Sequence, residues 1–196
     1  MANLLPPVVL GPLTEISTVV LVVDLVPGAE VTLFENGGPL KLTFTATGTT
    51  AQVPLAKALA ERSQVTASQG TPTATPPIQS EQSLPVLVGA VANPLPAPAY
   101  LSAVSTCMDA VWIDGITPGA TVTVIEKASK LSWKTVAAQT PVWVQLPGSG
   151  PLATGATLEV EQTAHVPGKG TWSSAETPSY PLAVAAGPGR LRVLKC

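Results

Sequence analysis

The chain carries the same segment twice, at an offset of 91 residues. Residues 20–33 read VLVVDLVPGAEVTL, and residues 111–124 read VWIDGITPGATVTV. Self-similarity at so long a period indicates two copies of one domain. We therefore expect domain 1 over residues 1–92, domain 2 over residues 93–187, and a basic C-terminal tail over residues 188–196.

In both copies, apolar residues occupy every second position on either side of a Pro-Gly pair. In the second copy Val111 and Ile113 alternate with Trp112 and Asp114, which is typical of half-buried strands. Proline presets position i+1 of a type II turn, and glycine supplies the positive φ needed at i+2. The pattern predicts two strands joined by a hairpin or a tight corner, and further alternating segments raise the count to about seven strands per copy.

One segment has helical composition, and its duplicate argues against a helix there. Residues 54–62 consist of good helix formers, whereas their counterpart, residues 147–155, contains three glycines and two prolines. Any helix is therefore at most a short turn bridging two sheets. With 11% charged residues, 21 prolines and 16 glycines, the composition favours short strands and tight turns. We expect an all-β chain of two tandem Greek-key β-sandwiches.

The second copy resembles bacterial immunoglobulin-like repeats. Their pattern V-x-V-x-G-L-x-P-G-A-x-V-x-V, followed by L-x-x-G-x-x-V-x-A-x-Q, is visible at residues 111–124 and 152–162. The first copy departs from it, because Asp24 replaces one glycine and Arg62 stands in place of the counterpart of Gly155, so its turns could differ. The resemblance implies an Ig-like fold and a role in surface stalks, adhesins, fibres or accessory modules of larger enzymes; such a role is an analogy.

Charge and hydropathy exclude two classes of partner. The net charge is −2, and no basic stripe is present to neutralise phosphates, so we expect no nucleic-acid partner. The apolar run at residues 19–23 is far shorter than the roughly 20 residues that span a bilayer. No secretory signal is visible, so the chain is exported without one, stays inside the cell, or is a piece of a longer secreted protein. We favour an extracellular or cell-surface location.

The chain has two cysteines, Cys107 and Cys196. One interpretation is a buried Cys107 that behaves as a small hydrophobic residue, together with a free terminal thiol at Cys196. A disulfide between Cys107 and Cys196 is the second interpretation, and an intermolecular bridge through Cys196 is the third.

Residues that could perform catalysis or hold a cofactor are few. His165 is the only histidine, and with Ser173, Ser174 or Glu161 nearby it matches no nucleophile elbow, so we expect a solvent-facing loop residue and no enzyme. Zinc needs about four Cys or His ligands and the chain has three such residues. Asp109 and Asp114 lie near a strand end but form no calcium-loop motif. We expect no metal and no cofactor.

The aromatic residues are unevenly distributed. All four tryptophans fall in the second copy, and among them Trp133 aligns with Phe44 and is predicted to pack in the core. Trp112 and Trp143 lie out of phase with the buried positions and should point outward, whereas Trp172 falls in a loop or strand start. Trp112, Trp143 and Trp172 are therefore candidate ligand-binding residues, for a protein contact or sugar stacking, unless a neighbouring segment buries them.

Two functional hypotheses follow. The preferred one is a non-catalytic structural or adhesive module pair that contacts proteins, or copies of itself, through outer sheet faces or through the C-terminal tail. The tail, residues 190–196, alternates like a strand and could pair with a free sheet edge. The alternative is a carbohydrate-binding module in domain 2 that stacks polysaccharide on the exposed tryptophans.

Overall fold

The protein is all-β. The computed structural model describes residues 4–71, 73–74, 77–101, 104, 108–146, 152 and 155–178, and within these ranges it contains strands and turns but no helix. In the described part of the chain there is accordingly no helix with the length and apolar character that membrane crossing requires. By its internal contacts the chain divides into two compact units, Met1–Val91 (unit 1) and Ala92–Cys196 (unit 2).

Unit 1 is built from short strands that form two sheets. The strands are β1 Val8–Leu10, β2 Leu13–Thr14, β3 Val19–Val23, β4 Glu30–Glu35, β5 Gly38–Thr45, β6 Thr50–Pro54, β7 Gln64–Thr71, β8 Ile78–Gln79 and β9 Val86–Gly89. The three-stranded sheet has the order β1-β3-β6, and the larger sheet has the order β2-β9-β7-β4-β5, with β8 paired to β7. The pairings are antiparallel except for β2 with β9, which is parallel.

Unit 2 repeats most of this arrangement. Its strands are β10 Ala99–Tyr100, β11 Ala110–Asp114, β12 Thr121–Glu126, β13 Ser132–Val136, β14 Val142–Gln145, β15 Leu158–Val166, β16 Gly170–Ser173 and β17 Thr177–Pro178. Its three-stranded sheet has the order β10-β11-β14, and its larger sheet has the order β13-β12-β15-β16, with β17 also paired to β15. The run β13-β12-β15 corresponds to β5-β4-β7 in unit 1, whereas β2 has no counterpart among the described strands of unit 2.

Each unit has its own apolar core between its two sheets. Because side chains alternate along a strand, one set of every strand faces the opposite sheet. In unit 1 the three-stranded sheet contributes Val20 and Val22, and the larger sheet contributes Val31 and Leu33. In unit 2 the equivalent strands contribute Val111, Ile113, Val122 and Val124, joined by Trp133, Val144, Leu158 and Val160. The expectation of two tandem β-sandwiches is confirmed.

The repeated Pro-Gly segments are corners between sheets. Ala29 N donates to Val26 O at 2.9 Å, and Ala120 N donates to Thr117 O at the same distance. The intervening glycines have φ of 85° and 89°, as a type II turn requires. Because β3 and β4 belong to different sheets, as do β11 and β12, these turns carry the chain from one layer to the other and close no hairpin.

The segment with helical composition is irregular, as its duplicate predicted. Residues 55–63 connect β6 in one sheet to β7 in the other through turns. Leu59 within this segment is 3% exposed and belongs to the core of unit 1. Tertiary packing therefore overrides the local helix propensity here.

The two positions at which the first copy departs from the repeat pattern keep the backbone of the second. Asp24 has φ of 58° where Gly115 has 71°, and Arg62 has φ of 67° where Gly155 has 83°. The turns therefore do not differ in this respect. A long side chain in the left-handed region costs about 1–2 kcal/mol relative to glycine, whereas aspartate adopts this region more readily, so Arg62 is a strained position where unit 2 has glycine.

This difference predicts a stabilising substitution. Arg62→Gly should raise the free energy of unfolding of unit 1 by about 0.5–1 kcal/mol, the relief of strain exceeding the added flexibility of the unfolded chain. The ion pair lost is weak, because the Arg62 side chain is 88% exposed and lies 3.6 Å from Glu61. The reciprocal change Gly155→Ala should cost about 1 kcal/mol in unit 2, because the φ of 83° is unfavourable for a residue with a Cβ; no atom lies within 4 Å of the added Cβ, so no clash adds to this cost. Urea denaturation measures both, and destabilisation by Arg62→Gly would contradict the prediction.

Candidate interaction surface

Two of the predicted tryptophans form an exposed pair on unit 2. Trp112 on β11 lies directly opposite Trp143 on β14 in the antiparallel register. They are 41% and 47% exposed, which confirms that both point outward. The ring centroids are 5.1 Å apart and the planes meet at 88°. Because perpendicular rings cannot both lie flat on the sheet, the pair forms a raised aromatic knob and not one level stacking platform.

The knob extends into a row across three strands, which we call the unit 2 outer face. Leu101 N, directly after β10, donates to Trp112 O at 3.0 Å, so Leu101 lies beside Trp112, and it is 52% exposed. Trp172 is not part of this face, because it lies on β16 in the larger sheet, opposite Ala164. Sequence reasoning missed Leu101, since no periodic strand pattern marks that position.

One charged residue borders the unit 2 outer face. Asp114, the last residue of β11, accepts a hydrogen bond from Thr140 Oγ1 at 2.8 Å. This bond, together with a second from the Gly115 backbone N–H, holds the pKa of the Asp114 carboxyl below its ordinary value. Asp114 is therefore ionised at neutral pH and marks a polar boundary of the apolar row.

Unit 1 presents an apolar surface at the equivalent place, which we call the unit 1 outer face. By register, Leu21 and Gln52 occupy the positions that Trp112 and Trp143 occupy in unit 2. The inward set of the same strands is buried, so the complementary set faces outward. The outward residues are Val8, Leu10, Val19, Leu21, Val23, Thr50, Gln52 and Pro54, all of them exposed or partly exposed.

Charge is segregated between the two sheets of each unit. Strands β1, β3 and β6 contain no charged residue, and in β10, β11 and β14 Asp114 alone is charged. The larger sheets carry the charges of the strands, namely Glu30 and Glu35 on β4, Lys41 on β5, Glu126 on β12, Lys134 on β13, and Glu159 and Glu161 on β15. An outer sheet face is normally polar, so two faces that carry one charged strand residue between them, at equivalent places of the two units, are candidate contact surfaces.

A buried glutamine ties together the segments that position the unit 2 face. Gln162 on β15 is 0% exposed. Its Oε1 accepts a hydrogen bond from Thr117 N at 2.9 Å, and its Nε2 donates to Pro96 O at 2.7 Å and Gly115 O at 3.0 Å. The side chain therefore joins the segment before β10, the turn after β11 and the corner turn to the opposite sheet.

Unit 1 contains the same arrangement around Gln69, which is 1% exposed. Its Oε1 accepts from Val26 N at 2.8 Å, and its Nε2 donates to Leu5 O at 2.9 Å and Asp24 O at 3.1 Å. Each partner lies 91 residues before its counterpart in unit 2. The two glutamines recur at matching places in otherwise apolar inward sets, and that recurrence was the available sequence signal.

The remaining candidate residues are dispersed. His165 is exposed at the end of β15, where its Nδ1 lies 3.3 Å from Thr171 Oγ1, so it is a strand residue and not the predicted loop residue. Asp109 and Asp114 lie at opposite ends of β11. Among the described residues, no group of three or more His, Cys, Asp or Glu side chains is placed to hold a metal ion. Cys107, Cys196 and the tail at residues 188–196 lie outside the described residues.

Two solved structures are similar to this chain. One is described as "Biofilm associated protein - BSP domain", with 19% identity over 93% of this chain and 30% of that chain and a TM-score of 0.38. The other contains the FN1–FN3 domains of chicken CNTN1, with 14% identity over 90% of this chain and 65% of that chain and a TM-score of 0.33. This chain thus spans less than two thirds of either. No family model and no curated protein matches it.

Proposed function

We propose that this chain is a non-catalytic structural and adhesive module pair of a bacterial surface protein, fibre or filament, working outside the cell or at its surface. The observation that carries the proposal is the segregation of charge, because each unit leaves the outer face of its three-stranded sheet apolar. An apolar composition does not stabilise a sheet face that stays in contact with water. It does stabilise a face that packs against a partner and is removed from water.

The size of each face sets the strength of contact. Three strands about 4.8 Å apart and about five residues long present about 240 Å². Stable protein interfaces bury about 800 Å² per partner, so one face supports a weak contact. Two units in one chain, and further copies on one surface, give adhesion through several weak contacts acting together.

Bead attachment tests this role. The chain is coupled to hydrophilic beads through its lysine side chains. This coupling leaves both outer faces free, because β1, β3, β6, β10, β11 and β14 contain no lysine. Under flow, such beads should attach to a methyl-terminated surface at least several-fold more than beads carrying Leu21→Glu/Trp112→Glu, a pair of substitutions that adds charge to both faces without adding a coupling site. The control Thr43→Glu/Ser132→Glu adds the same charge at exposed positions of the larger sheets, on β5 and β13, and should attach like the wild type.

Two outcomes separate the alternatives. Equal attachment by wild-type and face-variant beads would contradict the proposal, provided that far-UV circular dichroism shows both folded. The carbohydrate-binding alternative predicts instead that a soluble polysaccharide shifts or quenches the tryptophan emission. Because the rings of Trp112 and Trp143 are perpendicular, a flat sugar ring could stack on one indole at a time and not across both.

A further inference from the structure

We infer that the partner of the unit 2 outer face is the unit 1 outer face of a second copy of this chain, so that copies associate head to tail. This inference rests on the proposed function, since it uses the same faces, and it specifies what they bind. The two faces occupy equivalent places in equivalent folds but differ in relief, and that difference carries the argument.

The unit 2 outer face is raised and aromatic. Trp112 and Trp143 meet edge to face, so at least one indole stands away from the sheet. Such a knob excludes most water when it presses on a smooth apolar floor. Pressed against an identical knob, it leaves gaps around both, and unfilled gaps forfeit dispersion contacts.

The unit 1 outer face is such a floor. At the two places of the indoles it has Leu21 and Gln52, and around them lie short aliphatic side chains that are half-buried, such as Val19 and Val23. Gln52 also supplies amide oxygen for an indole N–H, which Trp143 at present directs at Gln145 Oε1 over a long 3.4 Å.

Charge complementarity favours the same pairing. Strands β1, β3 and β6 offer no charge to a partner, so a charged partner surface would lose its hydration without gaining an ion pair. The row of Leu101, Trp112 and Trp143 is equally uncharged. Asp114 lies at the polar end of that row, where it can keep its contact with Thr140 and with water.

The area of the contact predicts its strength. Two tryptophans bury about 150–250 Å² each when fully covered, so the contact stays below the roughly 800 Å² per partner of a stable complex. Association should therefore be weak and dependent on concentration. A contact between two different faces does not close on itself after two copies, so it generates rings or open chains.

Sedimentation of the full chain and two variants tests the inference under reducing conditions, which exclude bridges through cysteine. From about 10 µM to about 500 µM, a range that suits weak contacts, the mean mass of the wild type should rise past twice the chain's 19.9 kDa. Leu21→Lys blocks the floor and Trp112→Lys blocks the knob, so each variant alone should remain monomeric. An equimolar mixture of the two variants should form dimers and stop there, because each supplies the face that the other has lost.

Other outcomes overturn the inference. If either variant alone still dimerises and the mixture adds nothing, the contact joins identical faces. A wild type that stays monomeric at the highest concentration shows that the faces bind something else, and the proposed adhesive function then stands if the beads still attach to the methyl-terminated surface. The variant Thr43→Lys, on the larger sheet, should assemble like the wild type and controls for added charge.

Discussion

Gln162→Leu should lower the free energy of unfolding of unit 2 by about 2–4 kcal/mol. Leucine fills a similar volume but offers no polar atom, so Thr117 N, Pro96 O and Gly115 O lose their side-chain partner inside the protein. Each buried polar group left without a partner costs about 1–3 kcal/mol. The hydrogen bond from Thr117 N is buried and those to Pro96 O and Gly115 O are part-buried, so water can replace part of what the two carbonyl groups lose.

The distribution of tryptophan makes this measurement specific to one unit. All four tryptophans belong to unit 2, so tryptophan fluorescence during urea denaturation reports on that unit. The midpoint of this transition should fall well below that of the wild type. Gln139→Leu, an exposed glutamine of the same unit, is the matched control and should change the free energy by less than about 0.5 kcal/mol. A shift no larger than that of the control would contradict the role of Gln162.

Gln69→Leu should cost unit 1 about 2–4 kcal/mol, because Gln69 makes the equivalent three hydrogen bonds, all of them part-buried. Unit 1 has no tryptophan, so the loss should appear in far-UV circular dichroism while the tryptophan transition stays in place. The exposed Gln64→Leu on β7 is the control. If Gln69→Leu moved both transitions together, the two cores would not unfold as separate units.

The sequence predicted the layers of the fold because alternation and turn chemistry are local. Val20 and Val22 face inward in the structure as Val111 and Ile113 do, and both Pro-Gly segments form the expected turns. The duplication also excluded a helix at residues 54–62, where propensity alone would have favoured one. Each of these conclusions needed only neighbouring residues and a second copy for comparison.

Strand register was predicted less well, and the reason is the two-residue period itself. The sequence alignment paired Phe44 with Trp133, but the strand partners place Phe44 opposite Val31 and Trp133 opposite Val124, two residues along. A shift of two residues keeps every side chain on its face. The prediction that Trp133 is a core residue is therefore confirmed, at 8% exposure, although its alignment was wrong.

The candidate surface could be predicted only in part. Alternation placed Trp112 and Trp143 on the outside, but their direct contact depends on pairing β11 with β14 across a long stretch of chain. The apolar character of the unit 1 face was in the sequence all along as Val19, Leu21 and Val23. These residues could be identified as part of one continuous apolar surface only once the structure showed that β1 and β6 are the neighbours of β3.

Hydroxyl-radical footprinting of chains on the methyl-terminated surface, compared with dilute chains in solution, tests most directly whether the three-stranded sheets are the working surface. We expect oxidation of Leu21, Trp112 and Trp143 to fall several-fold on attachment, while the exposed Val136 on β13 keeps its rate. Unchanged oxidation of Leu21, Trp112 and Trp143 in attached chains, or protection of Val136 instead, would contradict the account.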